Sequence, residues 1–104
     1  MRIARRVSHY LHSCDLRYRT IKHCAEAIGS SSATIERRLR QEGTRYSLLL
    51  EAERRRRCDL VLTRDPLVTI DQIADEIGYA ERGSVRRAMK RWYGVSLSEM
   101  RRAA

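Results

Sequence analysis

Two stretches of the chain carry the same pattern. Thr20-Ile21, Cys24-Ala25 and Ile28-Gly29 are matched 49 positions later by Thr69-Ile70, Ile73-Ala74 and Ile77-Gly78. Past the glycine the offset becomes 50, and Ile35, Arg37 and Leu39 answer to Val85, Arg87 and Met89. A one-residue insertion at a turn accounts for the step. Each copy has the apolar spacing of a short amphipathic helix that ends at a glycine. A tight turn follows, then a second helix with one apolar and one basic face. That is the outline of a helix-turn-helix, written twice in one small chain.

The rest of the chain is punctuated just as clearly. Ile3, Val7, Tyr10 and Leu11 predict a first helix over residues 3–13, with 17–19 as a connection. Thr20 is a natural N-cap for the helix that ends at Gly29, and Ser31 for one over 32–42 that Gly43 stops. Thr44 is expected to cap a long helix over 45–63, which Asp65-Pro66 terminates. Proline lacks the amide donor and turns the preceding residue away from helix. Thr69 caps the next helix, which ends at Gly78; residues 82–93 form another, up to Gly94; Ser96 caps a last one over 97–102. With no Phe and no alternating β-branched run, the expected fold is all-α with seven helices. The organisation expected is a first helix-turn-helix with its leading helix (1–44), a linker helix (45–63), and a second helix-turn-helix with a terminal helix (64–104).

Composition narrows the function. At 104 residues the chain is one domain, or two very small ones sharing a helix. A net charge of +9 points to a polyanionic partner, nucleic acid ahead of an anionic membrane surface. Three cysteines without a Cys-x-x-Cys pair argue against a disulfide framework and for a reducing cytosol. Residues 1–16 carry Arg2, Arg5, Arg6, two His and an Asp, so no signal peptide is expected to open the chain, and no apolar run approaches the about 18–20 residues needed to span a bilayer. A cytoplasmic, nucleoid-associated protein is expected, without a membrane partner. His9, His12, Cys14, His23 and Cys24 offer metal-ligand types, but their spacing matches no common closed zinc site. No cofactor is expected. Nor is enzymatic activity, since no Ser/His/Asp or Cys/His constellation and no phosphate-cradling glycine loop is present.

Helical geometry then sorts the side chains, because each residue advances by about 100°. In 32–42, Ala33, Glu36, Arg37 and Arg40 share one face, with Ile35 and Leu39 opposite. In 82–93, Val85, Ala88, Met89 and Trp92 point inward and leave Gly83, Arg86, Arg87 and Lys90 outside. Both outer faces suit a DNA major groove. Arginine can bridge guanine N7 and O6, glutamate can accept from cytosine N4, and a small residue permits close approach. The helix over 69–78 carries Asp71, Asp75 and Glu76 and no base, so it should face away from phosphate. Arg54 is expected to pack along an inward stripe and pair with an acid such as Asp75 or Glu76, while Cys58 is a small core residue.

These residues resemble the DNA-binding domain of the AraC/XylS family of bacterial transcription regulators, over about residues 18–102. The resemblance is carried by Ala25-x-x-Ile28-Gly29-x-Ser31, Thr34-Ile35-x-Arg37-x-Leu39 and Glu42-Gly43-Thr44, then by Arg54 and Cys58. The second half adds Ile70-x-x-Ile73-Ala74-x-x-Ile77-Gly78-Tyr79, Glu81, and Arg87-Ala88-x-Lys90-Arg91-Trp92-x-Gly94-Val95-Ser96. It implies two helix-turn-helix units on a rigid linker helix, with both second helices entering successive major grooves on one DNA face. Two such grooves lie about 34–36 Å apart. The family's contact positions fall on Ala33, Glu36 and Arg37, and on Arg82, Gly83, Ser84, Arg86 and Arg87. The chain departs from the family at Val85 and Met89, where aromatics are usual, and at Leu97 and Met100, where proline and an aromatic are. Glu53 and Arg57 replace apolar residues of the linker helix.

The function expected is a sequence-specific double-stranded DNA-binding transcription regulator, an activator by family analogy, with RNA polymerase as a further partner. Arg37, Arg86 and Arg87 would read bases; Arg40, Lys90, Arg91 and the helix N-termini would hold phosphates, and Thr34 is a further candidate DNA contact. The first unit is expected to supply more of the selectivity, the second more of the phosphate affinity. The alternative is a protein-interaction module of the same fold that binds another regulator or RNA polymerase. Nothing in the length accommodates an effector-binding or dimerisation domain, so the chain is read as a stand-alone regulator or a domain of a larger one.

Overall fold

The computed structural model describes residues 2–103, and among them every regular element is helical. The order is α1 (Ile3–Ser13), a 3-10 turn (Leu16–Tyr18), α2 (Ile21–Ile28), α3 (Ser32–Gln41), α4 (Tyr46–Arg64), α5 (Ile70–Ile77), α6 (Arg82–Tyr93) and α7 (Leu97–Ala103). The chain divides within α4 into two compact units, Met1–Arg54 and Arg55–Ala104. Each has its own apolar core.

In the first unit Ile3, Val7 and Leu11 of α1, Cys24 and Ala25 of α2, and Ile35 and Leu39 of α3 are buried together. These are the apolar positions that the helical spacing dictates, and each fully buried aliphatic stabilises the unit by about 1.5–3 kcal/mol. Tyr46, Leu49 and Leu50 of α4 pack at its margin. The helix ends are closed from both near and far. Thr20 and Ser31 accept from the amides of His23 and Thr34, as local caps should. Arg2 gives α1 no side-chain cap. Instead the Glu42 carboxylate, just past α3, accepts from the Ile3 and Ala4 amides at 2.9 Å each. Arg6 donates to the Ile28 carbonyl at 3.0 Å, a cation on the C-terminus of α2.

Two local expectations need correction. The connection at 17–19 is partly ordered as the 3-10 turn, because the Asp15 carboxylate accepts from the Arg17 amide and caps it. Tyr10 and Tyr46 hydroxyls then hold the Tyr18 and Arg19 carbonyls at 2.6 Å each. Thr44 does not open α4, which starts at Tyr46. Its amide donates to the Leu39 carbonyl while Gly43 donates to Arg40, so both residues serve to finish α3.

The second unit buries Val68, Ile73, Ala74 and Ile77 with Val85, Ala88, Met89 and Trp92 of α6, and with Cys58 and Val61 of α4 and Leu97 of α7. Val85 and Met89, where the family resemblance leads one to expect aromatics, are fully inside. Aromatic surface reaches this core through Trp92, Tyr79 and Tyr93 instead. Thr69 and Gln72 form a reciprocal capping box on α5, and Ser96 and Glu99 exchange the same pair of bonds on α7. Tyr93 donates to the Asp59 carboxylate. Burial raises the Cys58 thiol, as expected of a packed and unreactive cysteine. Glu76, one of the two acids expected beside Arg54, accepts from Arg64 at 3.2 Å. In the first unit the charged Glu53 is buried, with the His12 imidazole 3.7 Å away.

In each unit a glycine sets the angle between the paired helices. Gly29 (φ 72°) and Gly78 (φ 78°) are left-handed. A side chain in this conformation costs about 1–2 kcal/mol. The residue beyond each, Ser30 and Tyr79, donates back to Ala25 and Ala74 and closes the helix end.

Two outcomes are expected. Leu39→Ala should cost about 2–5 kcal/mol in urea denaturation, since it leaves a cavity in the first core. Glu42 is held below its ordinary 4.5, first by the Ala4 amide. Its folded value is depressed, so its contribution is complete above 4.5 and is lost as pH falls through the lowered value. Thermal melts should therefore show Glu42→Gln less stable than the parent at neutral pH, with the gap closing under acid.

Candidate nucleic-acid interface

Burial of the apolar stripe of α3 decides what the opposite side presents. Ile35 and Leu39 are fully buried, which leaves Ala33, Glu36, Arg37 and Arg40 exposed on one face. Thr34 sits at the first turn with its hydroxyl accepting from Ser31 at 2.9 Å. This face combines a small residue, an acceptor and two guanidiniums, as the helical geometry predicts.

On α6 the outward residues also follow the expected sorting. Arg82, Arg86, Arg87, Lys90 and Arg91 are exposed, and Gly83 and Ser84 are half-buried at the first turn. The side chains do not all stand free, however. The Arg82 guanidinium forms two parallel bonds with Asp71 of α5, Nε to Oδ1 at 2.7 Å and Nη2 to Oδ2 at 2.8 Å. Lys90 lies 3.6 Å from the Glu99 carboxylate on α7. Arg87 folds back along the helix and its Nη2 reaches the Ser84 hydroxyl at 3.5 Å. The Arg91 guanidinium lies over the Trp92 ring, 5.7 Å from its centre.

Two acids therefore stand within a face that the sequence reads as basic. Arg82 holds the Asp71 carboxyl below its ordinary range, and the Ser96 hydroxyl, its amide and Lys90 do the same for Glu99. Both are ionised at neutral pH, and both moderate the charge offered to a phosphate. Asp71, on the helix expected to face away from phosphate, stands beside Arg82. The sequence signal was available: an acid in the first turn of α5 and an arginine opening α6. Nothing in helical periodicity brings the two together, because they lie on different helices.

Among the described residues no three His, Cys, Asp or Glu side chains are placed to hold a metal ion. His23 Nδ1 shares a 2.7 Å hydrogen bond with Thr20, and burial pushes the Cys24 thiol up to about 11. Among those residues no helix is long and apolar enough to cross a membrane.

Comparison with known proteins places this architecture. Residues 24–103 match the family described as helix-turn-helix domain. The HTH-type transcriptional regulator VqsM of Pseudomonas aeruginosa is 30% identical over 99 residues, covering 95% of this chain and 30% of that protein. The crystal structure of the transcriptional regulator CdpR from Pseudomonas aeruginosa superposes with a TM-score of 0.84 at 31% identity, over 96% of this chain and 31% of that one. A DNA-binding transcriptional dual regulator from Escherichia coli K-12 has the same fold, with a TM-score of 0.86 at 21% identity over 100% of this chain and 99% of its own. The chain spans under a third of the length of the curated relatives it matches.

Gly83 is where the α6 face is most easily tested. A Cβ there would stand 3.2 Å from Arg87 Nη1. Gly83→Ala should gain up to about 1 kcal/mol of stability in urea denaturation, because alanine is the better helix former. It should also push the Arg87 guanidinium aside, which a crystal structure of the variant would show.

Proposed function

The chain belongs to the AraC-type helix-turn-helix family of transcriptional regulators, and from that premise we propose that it reads a bipartite site on double-stranded DNA. The observation that carries this reading is the pair of exposed faces on α3 and α6, each on the second helix of a glycine-turned pair. Each face enters a major groove, and the two grooves are successive ones on one side of the duplex. In the first unit Arg37 bridges a guanine, Glu36 accepts from a cytosine amino group, and Ala33 permits close approach. In the second, Arg86 and Arg87 read base edges, with Gly83 and Ser84 against the groove floor. Arg40, Lys90 and Arg91 hold phosphates with Thr34 and the first turns of the helices. Lys90 exchanges Glu99 for phosphate on binding.

The regulator acts as an activator on the nucleoid in the cytoplasm, and RNA polymerase is its protein partner. Leu67, 83% exposed in the loop before α5, favours a second reading in which the same fold docks on a protein. Selection of bound duplexes from a random library separates the two. A bipartite motif supports DNA reading; absence of any enriched motif overturns it.

Arg37→Ala is expected to weaken binding to the selected site by about 1–3 kcal/mol and to relax one base position in one half. An equal loss on selected and random DNA would sink the base-reading role. Arg40→Ala should instead weaken all sequences alike and lower the slope of log affinity against log salt by about 1. Both are read by fluorescence anisotropy across a salt series.

A further inference from the structure

Arg82 opens α6, the position from which a recognition helix reaches base edges with its N-terminal residues. Its side chain is already engaged, by both oxygens of Asp71, at 2.7 and 2.8 Å. Both partners are more than half exposed, at 63% and 61%. An exposed ion pair adds little to stability, about 0–1 kcal/mol. Its main physical effect is to fix a long side chain that would otherwise sample many rotamers.

The way it is fixed matters. A guanidinium has five N–H donors in one plane. Asp71 takes Nε–H and one hydrogen of Nη2, which occupies one edge of the plane. The remaining edge, formed by Nη1–H and the second Nη2–H, stays available as two parallel donors. That edge matches the N7 and O6 acceptors of guanine. It matches a phosphate less well, because the carboxylate beside the fork repels a second full negative charge while tolerating the neutral edge of a base. Arg86 lies near enough to Asp71 to add to the field that keeps the acid ionised.

We infer that Asp71 is a positioning residue that holds Arg82 as a reader of one guanine in the second half of the DNA site. This rests on the proposal that α6 enters a major groove. It changes the expected division of work, since the more basic unit then carries a buttressed base contact of its own.

Two effects of removing Asp71 run in opposite directions, which makes the inference testable. Loss of an acid close to DNA should by charge alone tighten binding to every sequence. Loss of a buttress should weaken discrimination at one base pair. Binding selection from a random duplex library, with anisotropy on the enriched sites, would be run on the parent chain, Asp71→Asn and Arg82→Lys. Circular dichroism melts would confirm that each variant folds. The parent is expected to enrich a bipartite motif with one guanine that both variants lose, by between roughly fivefold and a hundredfold in preference. Asp71→Asn should at the same time bind random DNA at least as tightly as the parent. Arg82→Lys keeps the charge without the fork, so its salt dependence should match the parent's. An unchanged motif in either variant overturns the inference while leaving the DNA-reading proposal intact. Failure of the parent to enrich any motif overturns that proposal, and this inference with it.

Discussion

Each unit depends on the way a short helix is ended. At Gly29 and at Gly78 the backbone enters the left-handed region, and the next amide turns back to a carbonyl of the finished helix. The helix that follows leaves at an angle set by that bend, with its apolar stripe facing the first. Ile35 and Leu39, or Val85 and Met89, are buried as a consequence. The polar side of α3 and α6 is then presented outward without any further device. A residue with a side chain at either glycine would oppose the bend by about 1–2 kcal/mol, a large fraction of what so small a core can supply.

From this shared bend the two units are finished differently. The first is tied by groups distant in sequence: Glu42 closes the start of α1, and Arg6 the end of α2. The exposed face of its α3 is left to Ala33, Glu36, Arg37 and Arg40. The second unit is closed more by local caps, at Thr69 and Ser96, and its exposed face is tempered by acids from neighbouring helices. Asp71 and Glu99 stand beside two of the cations that would otherwise be free for phosphate. Counting charges along α6 therefore overstates what the face offers. The duplication is one of backbone geometry, and the chemistry laid on it differs between the copies.

How much of this could be read beforehand follows from the range of each interaction. The helices, most of their caps and the inward stripes were legible because they depend on residues three or four positions apart. Thr44 shows the limit of that reading. A threonine after a glycine is a plausible cap, but its amide is used to end α3, and α4 opens two residues later. The 3-10 turn at Leu16–Tyr18 was missed because one aspartate, Asp15, decides it. The outward residues of α3 and α6 were likewise legible as a set, while the partners of those on α6 were not.

The sequence by itself determined the two helix-turn-helix units, their glycine bends, the composition of each core and which faces turn outward. Periodicity, capping chemistry and the stereochemistry of glycine are local, and a chain states them directly. The tertiary structure alone decided that Glu42 caps a helix 38 and 39 residues away and that Arg82 is gripped by Asp71 across 11 residues. Those pairings depend on where separate helices come to rest against one core. No spacing rule encodes that distance, so the orientation of those side chains emerges only once each unit is packed.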